Sequence, residues 1–246
     1  MNSLAALTLI TLAASPGSIE LALAERTGVN TARLTILKSD ERLQALCLDL
    51  DGWSAEMIEQ AQEQVTARPV WLYLGSRKIA QGRVGRFESA ASPTSPCAVT
   101  AEARFDGYVP LTTRSDVLWA TTRDLGSRPL RPLPRAVAER ARVALADPSA
   151  CVSPSAAIAR AVEDGTFVSL SCGGTSSLVY VPAKGEPRRV PVDSQDGGAV
   201  TLLEVVERAQ GGGNTLFLAR DVEGGQRVEA WESDGRAARR IDAWIF

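Results

Sequence analysis

Two aspartates set two residues apart, Asp49 and Asp51, close the apolar run Leu46-Cys47-Leu48 and lead into Gly52. Carboxylates can serve in hydrolysis as nucleophile or as general acid and base. Ser76 with Lys78 is a second arrangement of this kind, since a desolvated lysine can replace histidine as the base for a serine. Residues this close in a tight turn are solvated, however, which keeps the lysine protonated. The chain contains no histidine. That removes Ser-His-Asp and Cys-His catalysis, the zinc-protease helix and His-dependent zinc sites. Catalysis would fall to carboxylates, to Lys38, Lys78 or Lys184, or to tyrosine.

The stretch Leu46-Cys47-Leu48-Asp49-Leu50-Asp51-Gly52 resembles the first motif of haloacid-dehalogenase-type phosphatases, and the resemblance implies Asp49 as nucleophile and Asp51 as acid/base. Trp53 stands where that family has threonine or a small residue, and no later acidic pair follows an apolar strand to complete a magnesium site. Asp51-Gly52 is therefore read as a turn ahead of a helix, with a phosphatase-like hydrolase using Asp49 and Asp51 as the alternative. A calcium loop fails on alignment: with Gly52 at the sixth position, Cys47 falls first and Ile58 twelfth, where carboxylates are required. Gly211-Gly212-Gly213 lies between two strands rather than ahead of a helix, which suits a hairpin loop and not a phosphate cradle. No cofactor and no metal is expected.

Charge points away from polyanions. The 246 residues carry 27 basic and 29 acidic side chains, net −2, so no sequence-wide field gathers nucleic acid or anionic membrane. Local clusters remain at Arg188-Arg189 and at Arg236, Arg239 and Arg240, which are the candidates for an anionic partner such as a carboxylate-rich protein surface. Arginines that are solvated or locally paired are the preferred reading of both.

Leu4 to Ala14 is an apolar or weakly polar run closed by Ser15-Pro16-Gly17. Its length suits the core of an export signal and falls short of the roughly 20 residues that span a bilayer. A signal peptide over 1–17 is expected, giving a secreted or periplasmic chain with no transmembrane span once mature. Cleavage after Gly17 keeps the alternating Ile19 to Glu25, which cleavage after Ala24 would discard. In an oxidising compartment the four cysteines, Cys47, Cys97, Cys151 and Cys172, read as disulfides. Four cysteines permit three pairings; Cys47 with Cys97 and Cys151 with Cys172 are preferred because each closes within one half of the chain.

The elements follow from periodicity and breakers. Strands are expected over Ile19 to Glu25, Ala32 to Lys38, Arg42 to Leu50, Val70 to Leu74, Ile79 to Phe87 and Ala98 to Phe105. Helices are expected from Ser54, the N-cap, to Thr66; from Pro134 to Ala146; and from Ser153 to Asp164, with Ser153 as cap, Pro154 at the first position and Gly165 beyond the end. Gly-punctuated strands fill the rest: Thr166 to Ser171, Ser176 to Val181, Arg188 to Val192, Ala199 to Arg208, Thr215 to Asp221, Arg227 to Glu232 and Arg239 to Ile245. The last of these, with Trp244 ahead of Phe246, resembles the closing strand of outer-membrane barrels, but Asp242 and Arg240 share the alternating face that would meet lipid, which favours a soluble core strand.

The fold class is thus α+β and β-rich, with antiparallel sheets, about three helices and a C-terminal β-meander. An N-terminal half over 18–126, a Pro-rich linker over 127–134 and a C-terminal half over 135–246 complete the organisation. No catalytic motif stands against these readings, so the expected function is non-catalytic: binding another envelope or secreted protein as an inhibitor or immunity-type partner, with a structural envelope component as a further alternative.

Overall fold

The computed structural model describes residues 17–47, 52–90, 98–112, 116–127, 133–145, 157–172, 175–192, 200–207, 213–222 and 225–245. Its first half is a closed six-stranded antiparallel barrel. The strands are β1 (Ile19–Arg26), β2 (Thr31–Ser39), β3 (Pro69–Leu74), β4 (Arg77–Ala90), β5 (Ala98–Phe105) and β6 (Leu118–Thr121), in the order β1-β2-β5-β4-β3-β6, with β6 returning to pair with β1. Alternation sends Ala32, Leu34 and Ile36 of β2 inward with Leu72 of β3, Ala103 and Phe105 of β5 and Leu118 and Ala120 of β6. Two helices join β2 to β3. In α1 (Glu41–Gln44) the Asp40 carboxylate accepts from the Arg42 N–H at 2.7 Å. In α2 (Ala55–Thr66) the Ser54 hydroxyl accepts from Met57 N–H at 3.3 Å. Leu43 and Val65 carry these helices onto the barrel core.

The second half holds two four-stranded antiparallel meanders rather than one. β7 (Ala157–Val162), β8 (Gly165–Cys172), β9 (Thr175–Pro182) and β10 (Arg188–Arg189) form the first; β11 (Val200–Glu207), β12 (Asn214–Val222), β13 (Gly225–Ser233) and β14 (Ala238–Ile245) form the second. Four layers result. The outer wall of the barrel, through Leu21, Leu23, Tyr73 and Trp119, packs on one face of the second meander at Val206, Phe217, Ala219 and Val228. The opposite face of that meander, at Leu202, Val205, Leu216, Leu218 and Trp231, packs on Phe167, Leu178 and Tyr180 of the first. The far side of the first meander is covered by α3 (Arg135–Val143) through Val137 and Ala141.

Burial on both faces explains β12, where every residue from Thr215 to Arg220 is buried. It also explains a β-bulge in β11. Leu202 pairs with Leu218 and Glu204 with Phe217, leaving Leu203 as the extra residue. Leu203 and Val206 consequently face the barrel while Leu202 and Val205 face the first meander.

Several expectations are corrected. Arg42 onward forms α1 and a turn through Cys47, not a strand, because Asp40 caps a helical start. The helix expected over Ser153 to Asp164 is instead β7 from Ala157: Ile158 to Val162 find partners along β8, from Ser169 to Gly165, around a Glu163-Asp164 turn, and tertiary pairing overrides propensity. Pro134 is the N-cap of α3 rather than its first residue. The closing strand β6 was not foreseen.

Candidate functional site

The row Phe167, Tyr180, Arg188 runs directly across β8, β9 and β10. Tyr180 is buried, its ring tilted against Phe167 with centroids 4.8 Å apart. Two glycines shape its slot: a Cβ on Gly165 or on Gly235 would come within 3.0 Å of the Tyr180 side chain. The Arg188 guanidinium lies over the same ring, 5.7 Å from its centroid. Arg188 Nε is shut off from solvent and meets no hydrogen-bond partner, and the side chain makes no ion pair among the described residues. Burial, and behind it the Asp164 charge, push the Tyr180 hydroxyl above its ordinary pKa, while the Arg188 charge pulls the other way.

The other side of the slot is a tight turn between β13 and β14. Asp234 Oδ1 accepts the Arg236 N–H at 2.8 Å and the Ala237 N–H at 2.9 Å. Those bonds, Ala237 first, hold the Asp234 carboxyl below the usual carboxylate range, with the Arg236 charge assisting and partial burial opposing. Gly235 has φ +82°. This turn sets Gly235 against the Tyr180 ring, and Arg236, the next residue, is exposed.

The five candidate arginines therefore separate. Arg188 lies over Tyr180, and Arg236 is exposed in the turn just after Gly235. Arg189 is exposed next to Arg188 on β10. Arg239 is committed to Glu232 at 2.9 Å, and Glu232 also meets Lys38 of β2 at 3.5 Å. Arg240 is exposed on β14.

Sequence reading missed two internal charge clusters. Glu229, fully buried in β13, accepts from Arg227 Nε at 2.8 Å and from Trp231 Nε1 at 2.9 Å, with Arg220 Nε 3.5 Å away. Glu204, which follows the bulge in β11, is 3.3 Å from Arg160 Nε of β7 and takes the Val205 N–H at 2.9 Å. It borders a small pocket with Tyr73, Ser76, Trp119, Leu125 and Gly126 where the barrel meets the second meander. Tyr73 and Trp119 stack at 4.4 Å there. The Tyr73 hydroxyl accepts from Leu125 N–H, and Trp119 Nε1 donates to the Gly75 carbonyl. These bonds fasten loops to the layer junction, which makes the pocket a packing feature. For Glu204 the signal was a charged residue inside an apolar run, whereas β13, which also carries Arg227 and Glu232, did not mark Glu229 out.

Asp49 and Asp51 lie outside the described residues, as do Cys97 and Cys151. Gly52 has φ +92°, as a turn residue does, and the Arg42 guanidinium lies 5.5 Å over Trp53. Ser76 sits in the β3–β4 turn, and Lys78 is held at 2.9 Å by Asp124 and lies over Trp71. Cys172 ends β8, and Cys47 packs against the barrel core. No cluster of three or more metal-ligating side chains exists among the described residues, and no described helix is long and apolar enough to cross a membrane. Comparison with protein-family models, with curated proteins and with solved structures finds no match for this chain.

Proposed function

We propose that this is an exported, non-catalytic protein that binds another envelope or secreted protein, and that a carboxylate of the partner docks on Arg188. The observation that carries this reading is the Arg188 guanidinium itself: stacked on a buried tyrosine, shielded at Nε and with no acid paired to it among the described residues. A half-buried guanidinium with no acid of its own among the described residues offers its remaining N–H donors, as a fork, to a carboxylate arriving from outside. Arg189, its exposed chain neighbour on β10, adds positive charge.

Export is supported by the apolar run over Leu4 to Ala14 and by cysteine chemistry. No free thiol is present among the described residues, and the Cys47 sulfur is engaged. Cys47 follows β2 through α1, and Cys97 immediately precedes β5, which pairs with the end of β2 at Ile36 and Val99. Cys151 is six residues ahead of β7, whose Ala157 pairs with Leu170, two residues from Cys172. Topology thus favours the pairs Cys47–Cys97 and Cys151–Cys172; the second loop would enclose β7 and most of β8. The phosphatase-like alternative is weakened because that motif needs a strand leading into the aspartates, and Glu41 to Cys47 is helix and turn.

The test is affinity capture of mature, oxidised protein from the native envelope and secreted fractions, with Arg188→Ala and Arg239→Ala variants in parallel. A stoichiometric protein partner retained by Arg239→Ala and lost by Arg188→Ala is expected. Retention by Arg188→Ala would remove this surface, and absence of any partner would remove the binding function. Hydrolytic turnover abolished by Asp49→Asn and Asp51→Asn would establish the alternative.

A further inference from the structure

Four large apolar side chains are prominently exposed among the described residues: Val29 (67%), Tyr108 (59%), Leu111 (71%) and Val143. The first three belong to one end of the barrel. The β1–β2 turn and the segment after β5 are stitched together there, Phe105 N–H donating to the Asn30 carbonyl at 2.8 Å and Val109 N–H to the Val29 carbonyl at 2.9 Å. Val109 is fully buried and closes the barrel end, so its neighbours Tyr108 and Leu111 and the turn residue Val29 project outward. Arg26 joins the same tip, its guanidinium 5.0 Å from the Tyr108 ring centroid and Nη1 donating to the Tyr108 hydroxyl at 3.2 Å.

Behind the apolar residues stands positive charge. Thr31, the first residue of β2, pairs with Arg104, and Arg104 pairs with Arg83 across the next strand. Both arginines are exposed and make no ion pair among the described residues. Like charges directly opposed on a ladder are destabilising, so the arrangement is one that a negatively charged surface would relieve. Asp106 is exposed beside them, and Glu25, the chain neighbour of Arg26, and Glu102, two residues before Arg104, are exposed with Arg33 paired between them, so the zone holds four arginines, Arg26, Arg33, Arg83 and Arg104, against three acids.

We infer that the barrel tip docks on an anionic lipid bilayer, with Val29, Tyr108 and Leu111 entering the headgroup boundary and Arg26, Arg83 and Arg104 meeting lipid phosphates. Apolar side chains projecting singly from two loops, with cations behind them, suit a soft anionic layer that can close around each of them. Tyrosine paired with arginine is the side-chain chemistry of the membrane–water boundary. This surface is separate from Arg188, so its success or failure is independent of the partner reading.

Co-sedimentation of the mature protein with vesicles tests it, using phosphatidylglycerol mixed with phosphatidylethanolamine against phosphatidylcholine alone. Binding to the anionic vesicles only is expected, weakened by added salt. Leu111→Asp or Val29→Asp, both at exposed positions that fold does not depend on, should lower the partition coefficient about tenfold or more. Arg83→Ala and Arg104→Ala should each lower it about fivefold, and Arg188→Ala should leave it unchanged. No binding by the unaltered protein, equal binding to phosphatidylcholine, or equal binding by the aspartate variants would each overturn the inference. So would capture of a soluble protein that the aspartate variants lose while vesicles are ignored.

Discussion

Replacing Gly235 by alanine tests both the packing of the Tyr180 slot and its link to binding. Gly235 has φ +82°, and an added Cβ would lie under 3.0 Å from three carbons of the Tyr180 ring. The left-handed backbone costs an alanine about 1–2 kcal/mol, and forcing a methyl against a buried ring about 1–3 kcal/mol; the stiffer unfolded chain returns about 0.4–1 kcal/mol. The net expectation is a loss of about 1–5 kcal/mol. Gly126 is the matched control: φ is +66°, but nothing lies within 4 Å of its Cβ position, so Gly126→Ala meets the backbone cost alone, about 1 kcal/mol. Urea denaturation followed by tryptophan fluorescence would measure both. A clear excess loss for Gly235→Ala, accompanied by weaker partner capture as Tyr180 shifts beneath Arg188, is expected. Equal losses in the two variants would show that Tyr180 is not wedged against the β13–β14 turn, and the account of the Arg188 platform would fail with it.

Two further substitutions probe the charged interior and the turn. Glu229→Ala removes a fully buried carboxylate facing Arg220, Arg227 and the Trp231 indole, and should cost about 3–5 kcal/mol in urea denaturation; a loss under about 1 kcal/mol would mean that the cluster is solvated. Asp234 has its folded pKa depressed below the ordinary 3.8, so its contribution is present above that value and is lost as pH falls through the folded one. Asp234→Asn should therefore flatten the acid limb of the stability profile below pH 3.8, and an unchanged limb would assign the acid sensitivity to other carboxylates.

Legibility from sequence tracked how local the determining contacts are. The C-terminal strands were readable because period-two alternation and glycine pairs are written into each segment, and α2 was readable because Ser54 and its apolar stripe stand within a few residues of each other. Barrel closure was not. It depends on β6, four buried residues, Leu118 to Thr121, with neither alternation nor flanking glycine to mark them and with partners on β1 and β3 far away in sequence. The β7 segment shows the opposite failure: a cap-like Ser153, Pro154 and a following Gly165 imitate a helix, and pairing with β8 decides otherwise. At the candidate site, Arg188 could be named as a charge, but its place over Tyr180 rests on the β9–β10 pairing and on the slot left by Gly165 and Gly235, whose role is visible only when the ring is seen against them.

The position of the second meander makes a stronger claim about the prolines between the halves. Pro129, Pro132 and Pro134 read as a boundary in sequence, yet the β11–β14 sheet is apolar on both faces because it lies between the barrel and the β7–β10 sheet. Cutting the chain in that segment and separating the products would expose Leu21, Leu23 and Trp119 on one fragment and Val206, Phe217 and Val228 on the other. Contiguous apolar patches of this kind are what soluble monomers avoid. Fragments 18–126 and 133–246, refolded apart, should therefore associate with themselves or aggregate. Refolded together they should recover a one-to-one complex, measured by size-exclusion chromatography with light scattering. Two fragments that each remained monomeric and melted cooperatively alone would refute this and make the prolines a true domain linker. Recovery of the complex would show instead that the linker only lets the chain turn, while the shared apolar sheet fixes how the barrel carries the Arg188 surface.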